Sequence, residues 1–286
     1  MSSAPVDHKL HFKTIILSDL HLGSPYCQIE KIIEFLHSTT SETLVLNGDF
    51  IDGWSLARRG GWSHRCTRVI RILLRKIETE GTRLIYVRGN HDDYLDTVLP
   101  LGFSNIEIVR EFKYRTREGT YLIVHGDGFD SVTTEHKWMA ILGDIGYQTM
   151  MKTNQLYQRH AARLGLPAFS ISQWTKAKVK SVVAFVDKYE EQLQELAQQQ
   201  GYRGIICGHI HTPANKTLGN FHYLNSGDWV ESNTAIVEHY EGGFEVIDFP
   251  KLRQWKSDAS QRFRFQRKPG ERKRSEDLDP DFTPFH

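Results

Sequence analysis

The sequence predicts an α/β fold, a β-sheet with parallel strands carrying a helical insertion. Three observations lead there. Short apolar runs alternate with amphipathic helical segments in the first half, the stretch from Thr133 to Gln200 turns mostly helical, and strand-like runs resume at Gly204. With 286 residues, 39% of them hydrophobic and 25% charged, the chain can build one large core.

The first strand is expected over Thr14–Ser18, followed by helical spacing over Ile29–Leu36. A second run spans Thr43–Leu46, and an amphipathic helix spans Arg65–Glu78 and ends at Gly81. The third strand is Arg83–Val87, and a fourth, Tyr121–Val124, follows a turn at Glu118-Gly119. Strands separated by helices in this order build a parallel sheet. In the helical stretch, Trp138, Ile141 and Leu142 fall at i, i+3 and i+4, Gly165-Leu-Pro167 breaks the pattern, and a long helix runs from Gln173 to Gln200. The last strands are Gly204–Cys207, His222–Leu224, Thr234–Glu238 and Phe244–Asp248, with turns at Asn225-Ser-Gly227 and Glu241-Gly-Gly243. One domain over residues 12–250 is expected, with 133–200 inserted in it as a cap. Residues 251–286 read as a basic tail, loosely held and partly disordered at its end.

Composition narrows the functional classes. Lys+Arg 36 against Asp+Glu 35 leaves a formal charge of +1, so the surface as a whole is not built to hold nucleic acid. Cys27, Cys66 and Cys207 form no C-x-x-C pair and no disulfide framework, which suits a reducing cytosol. Met1–His11 lacks the apolar segment of a secretory signal, and no run of about 18 apolar residues suggests a span. The 14 histidines are the excess that needs a destination.

Five of them lie in clusters just after predicted strands. These clusters are Asp19-Leu-His21, Gly48-Asp49-Phe-Ile-Asp52, Gly89-Asn90-His91-Asp92, His125-Gly-Asp127 and Gly208-His209-Ile-His211. Carboxyl ends of parallel strands converge on one edge, so clusters far apart in sequence become one site. Each alone has a bland reading as a turn or a cap; five in order, each after a strand, do not. Asp, His and Asn donors without thiolate suit manganese, iron or zinc. Asp19, His21, Asp49, Asn90, His125, His209 and His211 exceed what one ion needs. Two ions about 3.5–4 Å apart would lower the pKa of a bound water and neutralise charge at phosphorus during in-line displacement.

These motifs resemble the calcineurin-like metallophosphoesterase superfamily, whose ordered signature is D-x-H, G-D, G-N-H-D/E, H and G-H-x-H. The resemblance spans Ile15 to about Phe249. It implies a four-layer αββα sandwich with a helical cap insertion and two divalent metal ions, manganese ahead of iron or zinc. It implies that Asp19, His21, Asp49 and His211 hold the first ion, and Asp49, Asn90, His125 and His209 the second. Asn90 and His91 would touch substrate. His91 would stabilise the transition state or protonate the leaving oxygen, with Asp92 as the group that orients it.

Ser18-Asp-Leu-His-Leu-Gly23, Gly48-Asp-Phe-Ile-Asp-Gly-Trp54, Gly208-His-Ile-His-Thr-Pro213 and Asn225-Ser-Gly-Asp-Trp229 resemble the branch of UDP-2,3-diacylglucosamine diphosphatases of lipid A synthesis. That branch implies a UDP-linked lipid sugar as substrate, its pyrophosphate cut to UMP and 2,3-diacylglucosamine 1-phosphate. His91 departs from it, since the well-studied form has Arg there. Apolar cap residues, among them Trp138, Met150, Met151 and Trp174, would meet the acyl chains. The basic stretch Lys251–Arg274, with Trp255, Phe263 and Phe265, reads either as a solvated tail or as attachment to an anionic membrane surface. Attachment would make the enzyme cytoplasmic and peripheral on the inner face of the cytoplasmic membrane. No nucleic-acid partner is expected; a phosphodiesterase or nuclease of the same superfamily is the competing reading, kept open by the basic tail.

Overall fold

Side-chain alternation along the strands decides the layering. The computed structural model describes residues 9–128 and 186–266. Among these, β1 (Leu10–Leu17), β2 (Thr39–Asn47), β3 (Arg83–Val87), β4 (Leu101–Phe103), β5 (Ile106–Val109), β11 (Thr234–Glu238) and β12 (Phe244–Asp248) form one sheet in the order β12-β11-β1-β2-β3-β5-β4. The second sheet is β6-β7-β8-β10-β9, from β6 (Glu111–Thr116), β7 (Gly119–Val124), β8 (Gly204–Cys207), β9 (Ala214–Leu218) and β10 (Phe221–Asn225). Strands β1, β2, β3 and β5 run parallel in the first sheet, and β7, β8 and β10 in the second.

Period-2 strands bury both faces, and each face serves a different core. Ile15 and Leu17 of β1 pack outward with Leu44 and Leu46, beneath α1 (Ile29–Ser38) and α3 (His64–Glu80). Ile16, Val45, Ile85 and Val87 point the other way, onto Tyr121, Ile123, Ile206 and Leu224 of the second sheet. That sheet's far face, Leu122, Ile205, Cys207, Phe221 and Tyr223, takes Tyr189, Leu193 and Ala197 of a helix over residues 186–199, here α4. The order is therefore helix, sheet, sheet, helix, the αββα sandwich expected. In α3, Cys66, Val69, Ile72, Leu73 and Lys76 are buried, a stripe at helical spacing that the Ser63 cap starts and Gly81 stops.

Several expectations need correction. Periodicity alone put the Tyr121 strand fourth in one sheet; three short strands precede it, and it belongs to the second sheet. Of the strands not foreseen, β4, β6 and β9 are sheet edges, exposed or half-exposed, so their residues carry little apolar signal. Helix α2 (Gly53–Arg59) was also not foreseen. The C-terminal part of the expected cap insertion, α4, is an outer layer of the sandwich. The apolar cap residues named above lie outside the described residues.

The basic stretch does not start as a loose tail. Residues Phe249–Gln266 form helix α5, opened by Asp248, whose Oδ1 accepts from Lys251 N at 2.8 Å, and by Pro250 in its first turn. Phe249 and Leu252 are buried, and Trp255 packs on the same core as Phe12, so Trp255 is not free for a membrane. Lys251 pairs with Glu245, Arg253 bonds both oxygens of Glu34 at 2.7 Å, and Lys256 donates to Ser38 Oγ at 3.1 Å. The stretch from residue 267 onward lies outside the described residues. Among the described residues, no helix is long and apolar enough to cross a membrane.

Burial, more than charge, holds α5. Leu252→Ala should cost about 2–5 kcal/mol by urea denaturation, whereas Glu34→Ala, breaking an exposed pair, should cost about 0–1 kcal/mol. Equal losses would contradict this account.

Candidate metal centre

Five strand ends deliver the donors. Asp19 and His21 follow β1, Asp49 follows β2, and Asn90 and His91 follow β3, all from the first sheet. His125 follows β7, and His209 and His211 follow β8, from the second. The site therefore lies where the two sheets' carboxyl edges meet, not on the edge of one open sheet. Backbone bonds lock the loops together: Asp19 N to Gly48 O at 3.0 Å, His21 N to Asp49 O at 2.9 Å, and Gly208 N to His125 O at 3.0 Å.

Five of these positions have left-handed backbones, Asp19 (φ 54), His21 (φ 49), Asp49 (φ 51), His209 (φ 66) and His211 (φ 54). Non-glycine residues rarely adopt this region, at roughly 1–3 kcal/mol each, and they gather where function over-determines the chain. Neighbouring glycines make the packing possible. A Cβ on Gly89 would lie 2.3 Å from Asp49 Oδ1, and one on Gly48 (φ +83) would lie 2.2 Å from His125 Nδ1.

The donors converge in overlapping sets. Asp19, His21 and His211 each offer an atom within 4.8 Å of the others, as do Asp19, Asp49 and His125. His211 Nε2 is 3.1 Å from Asp19 Oδ1, His125 Nε2 is 3.4 Å from Asp49 Oδ1, and His21 Nε2 is 3.8 Å from Asp49 Oδ2. Asp19 Oδ2 accepts from His209 N at 3.0 Å, and the His209 ring lies 5.1 Å from that of His125. His125 Nδ1 donates to Asn47 O at 2.9 Å, which aims Nε2 into the site.

Whether metal fits is decided by the orphaned atoms. His21 Nδ1 and Nε2, His125 Nε2 and both amide atoms of Asn90 are buried without a hydrogen-bond partner among the described residues. Buried polar atoms are almost always satisfied, so a cluster of them aimed at two carboxylates is a site prepared for cations. The electrostatics agree. Burial pushes the Asp19 and Asp49 carboxyls up, but the facing histidines outweigh it and hold both well below the usual range. Burial lowers His125 and His211, yet the same carboxylates raise them to about 10 and about 9. For His21 burial wins, and its pKa falls.

Asp92 does not orient His91. It is fully buried and accepts from the backbone N–H of Phe50 and Ile51 at 3.1 Å and of Gly89 at 3.3 Å, tying the loop after β2 to the loop after β3. Burial and the Asp49 charge raise its pKa to about 6. The orienting group is Asp52, whose Oδ1 lies 3.0 Å from His91 Nδ1 and also accepts from Ser55 N at 2.8 Å. Asp52 Oδ2 lies 3.8 Å from His21 Nδ1, and His21, Asp52 and His91 form a third close set. The only signal in the sequence is an acidic residue at an N-cap position just before Gly53-Trp-Ser55, which places Asp52 near the β2 end without fixing where its carboxylate points. His91 N donates to Asp49 Oδ1 at 2.8 Å, and its Nε2 is 3.8 Å from Asp49 Oδ2.

A family model described as calcineurin-like phosphoesterase matches residues 12–213. The chain belongs to this family. Calcineurin-like phosphoesterases are metal-dependent hydrolases, and the donor set described above is where this member would hold divalent ions. The chain is similar to UDP-2,3-diacylglucosamine hydrolases of Pseudomonas fluorescens, 25% identical over 82% of this chain and 94% of that one, and of Chromohalobacter salexigens, 23% identical over 70% and 80%. A solved hypothetical protein of Pyrococcus horikoshii is a more distant likeness, 10% identical with a TM-score of 0.43 over 89% of this chain and 94% of that chain.

Two substitutions probe the geometry of this phosphoesterase. Gly89→Ala should displace Asp49 and lower the bound metal per chain in elemental analysis, with little change in far-UV circular dichroism. Asp52→Asn keeps a competent cap but loses the charge facing His91, so kcat should fall about 10–100-fold. Unchanged turnover in Asp52→Asn would remove Asp52 from the site.

Proposed function

We propose that this chain hydrolyses the pyrophosphate bond of UDP-2,3-diacylglucosamine, giving UMP and 2,3-diacylglucosamine 1-phosphate in lipid A synthesis, with manganese as the working metal. One observation carries the chemistry: the orphaned imidazole nitrogens of His21 and His125 converge on two buried carboxylates at the joint edge of two sheets. The substrate rests on the relatives of that name, matched over 70% and 82% of this chain. Divalent ions bound there would supply Lewis-acid neutralisation of charge on the phosphoryl oxygens.

The chain's own groups do the rest. Asp49, reached by His21, His91 and His125, would help hold the divalent ions. Asp52 fixes the His91 ring through Nδ1, so that Nε2 faces the reacting phosphoryl group and holds or gives up the proton there. Asn90, with no other partner for its amide, is free to ligate or to meet a phosphoryl oxygen. If the substrate is a membrane lipid, the enzyme works at the inner face of the cytoplasmic membrane.

Turnover of UDP-2,3-diacylglucosamine with Mn²⁺, beside bis-p-nitrophenyl phosphate and single-stranded DNA, tests this reading. UMP release from the lipid nucleotide should be the fastest of the three, and Asp49→Ala should abolish all of them. Hydrolysis of the diester or DNA without the lipid nucleotide would overturn the substrate in favour of a phosphodiesterase or nuclease.

A further inference from the structure

We propose that Trp54 is a stacking platform that binds the nucleobase of the substrate next to His91, an inference that rests on the nucleotide reading above. Trp54 lies over the His91 ring, centroids 4.2 Å apart and planes tilted by 33°. The indole is nevertheless 43% exposed, and Tyr94 is 48% exposed. A Cβ on Gly53 would lie 2.8 Å from His91 O and 3.1 Å from the Tyr94 ring, so the start of α2 packs tightly on the segment that carries His91.

The position of the indole is set by the same carboxylate that sets His91. Asp52 caps α2 through Ser55 N and bonds His91 Nδ1, and Trp54 sits between Asp52 and Ser55 on that first turn. His91 thus stands between the metal-side carboxylate, with Nε2 3.8 Å from Asp49 Oδ2, and the indole. A nucleoside directed past His91 from a phosphoryl group at the carboxylates would bring its base to the exposed indole of Trp54.

Flat aromatic surface with one side already stacked suits a planar ring more than a flexible acyl chain, which needs a long apolar groove. Every nucleobase has a π-face, and an indole offers the matching surface with few rotamers to freeze. Trp54 is therefore a specificity-determining contact for the nucleoside, while Asp52 fixes the His91 ring.

Titration calorimetry on the full-length Mn²⁺-loaded chain tests this with UMP, ribose 5-phosphate and inorganic phosphate. The wild type should bind UMP about 5- to 150-fold more tightly than ribose 5-phosphate, the range expected for one stacked base. Trp54→Ala should erase most of that preference while ribose 5-phosphate and phosphate bind as before, and Trp54→Phe should keep most of it. No preference in the wild type, a preference that survives Trp54→Ala, or equal weakening of all three ligands would overturn the platform. Lipid nucleotide turnover is read separately. If it is absent while the UMP preference depends on Trp54, the lipid substrate falls and the platform stands; if it is present while the preference ignores Trp54, the platform falls and the substrate stands.

Discussion

Two buried carboxylates govern this structure. Asp19 is fully buried and Asp49 is 2% exposed, side by side at the junction of two sheets. Burying one unpaired charge is costly, and burying two of the same sign is more so. Everything around them answers that cost. Four histidines, His21, His91, His125 and His211, turn a nitrogen toward them, backbone N–H groups of His91 and His209 bond them, and donors with no other partner wait beside them. The strained backbones at the same positions are tolerated because the arrangement leaves no alternative that satisfies the charges.

This explains why the site needs a sandwich. A single parallel sheet could have supplied Asp19, Asp49 and Asn90, which are the anions and the amide. His125, His209 and His211, three of the five histidines at the site, come from β7 and β8 across the inter-sheet core. The apolar contacts of Ile16, Val45 and Ile85 with Ile123 and Ile206 therefore hold the charges in register as well as burying surface. Asn47 joins the two functions, donating to Val124 O across the gap at 3.0 Å while its own carbonyl orients His125.

Much of this was legible in the sequence. The central strands could be read because residues buried on both faces leave unbroken apolar runs, as in Ile15–Leu17 and Leu84–Val87, and the donor clusters because they follow those runs. The assignment of strands to two sheets was not legible from periodicity, since Tyr121–Val124 is equally apolar whichever sheet it joins. Edge strands such as Ala214–Leu218, exposed along most of their length, gave almost no signal. Two acidic neighbours show a finer limit. Asp92, adjacent to His91 in sequence, points into the backbone of the β2 loop, whereas Asp52, thirty-nine residues from His91, bonds its ring. Direction along a turn depends on backbone geometry that composition does not carry.

The bond from His211 to Asp19 spans 192 residues of chain. Contacts this distant in sequence close large loops, at an entropic cost that local contacts do not carry. Without β7 and β8, Asp19 and Asp49 would lack the histidines of the second sheet. The first sheet alone would offer the oxygens of Asp19, Asp49 and Asp52 with the imidazoles of His21 and His91, a set richer in hard oxygen than the full one. The nitrogen-rich donor set that discriminates among metals is therefore complete only where both sheets are docked.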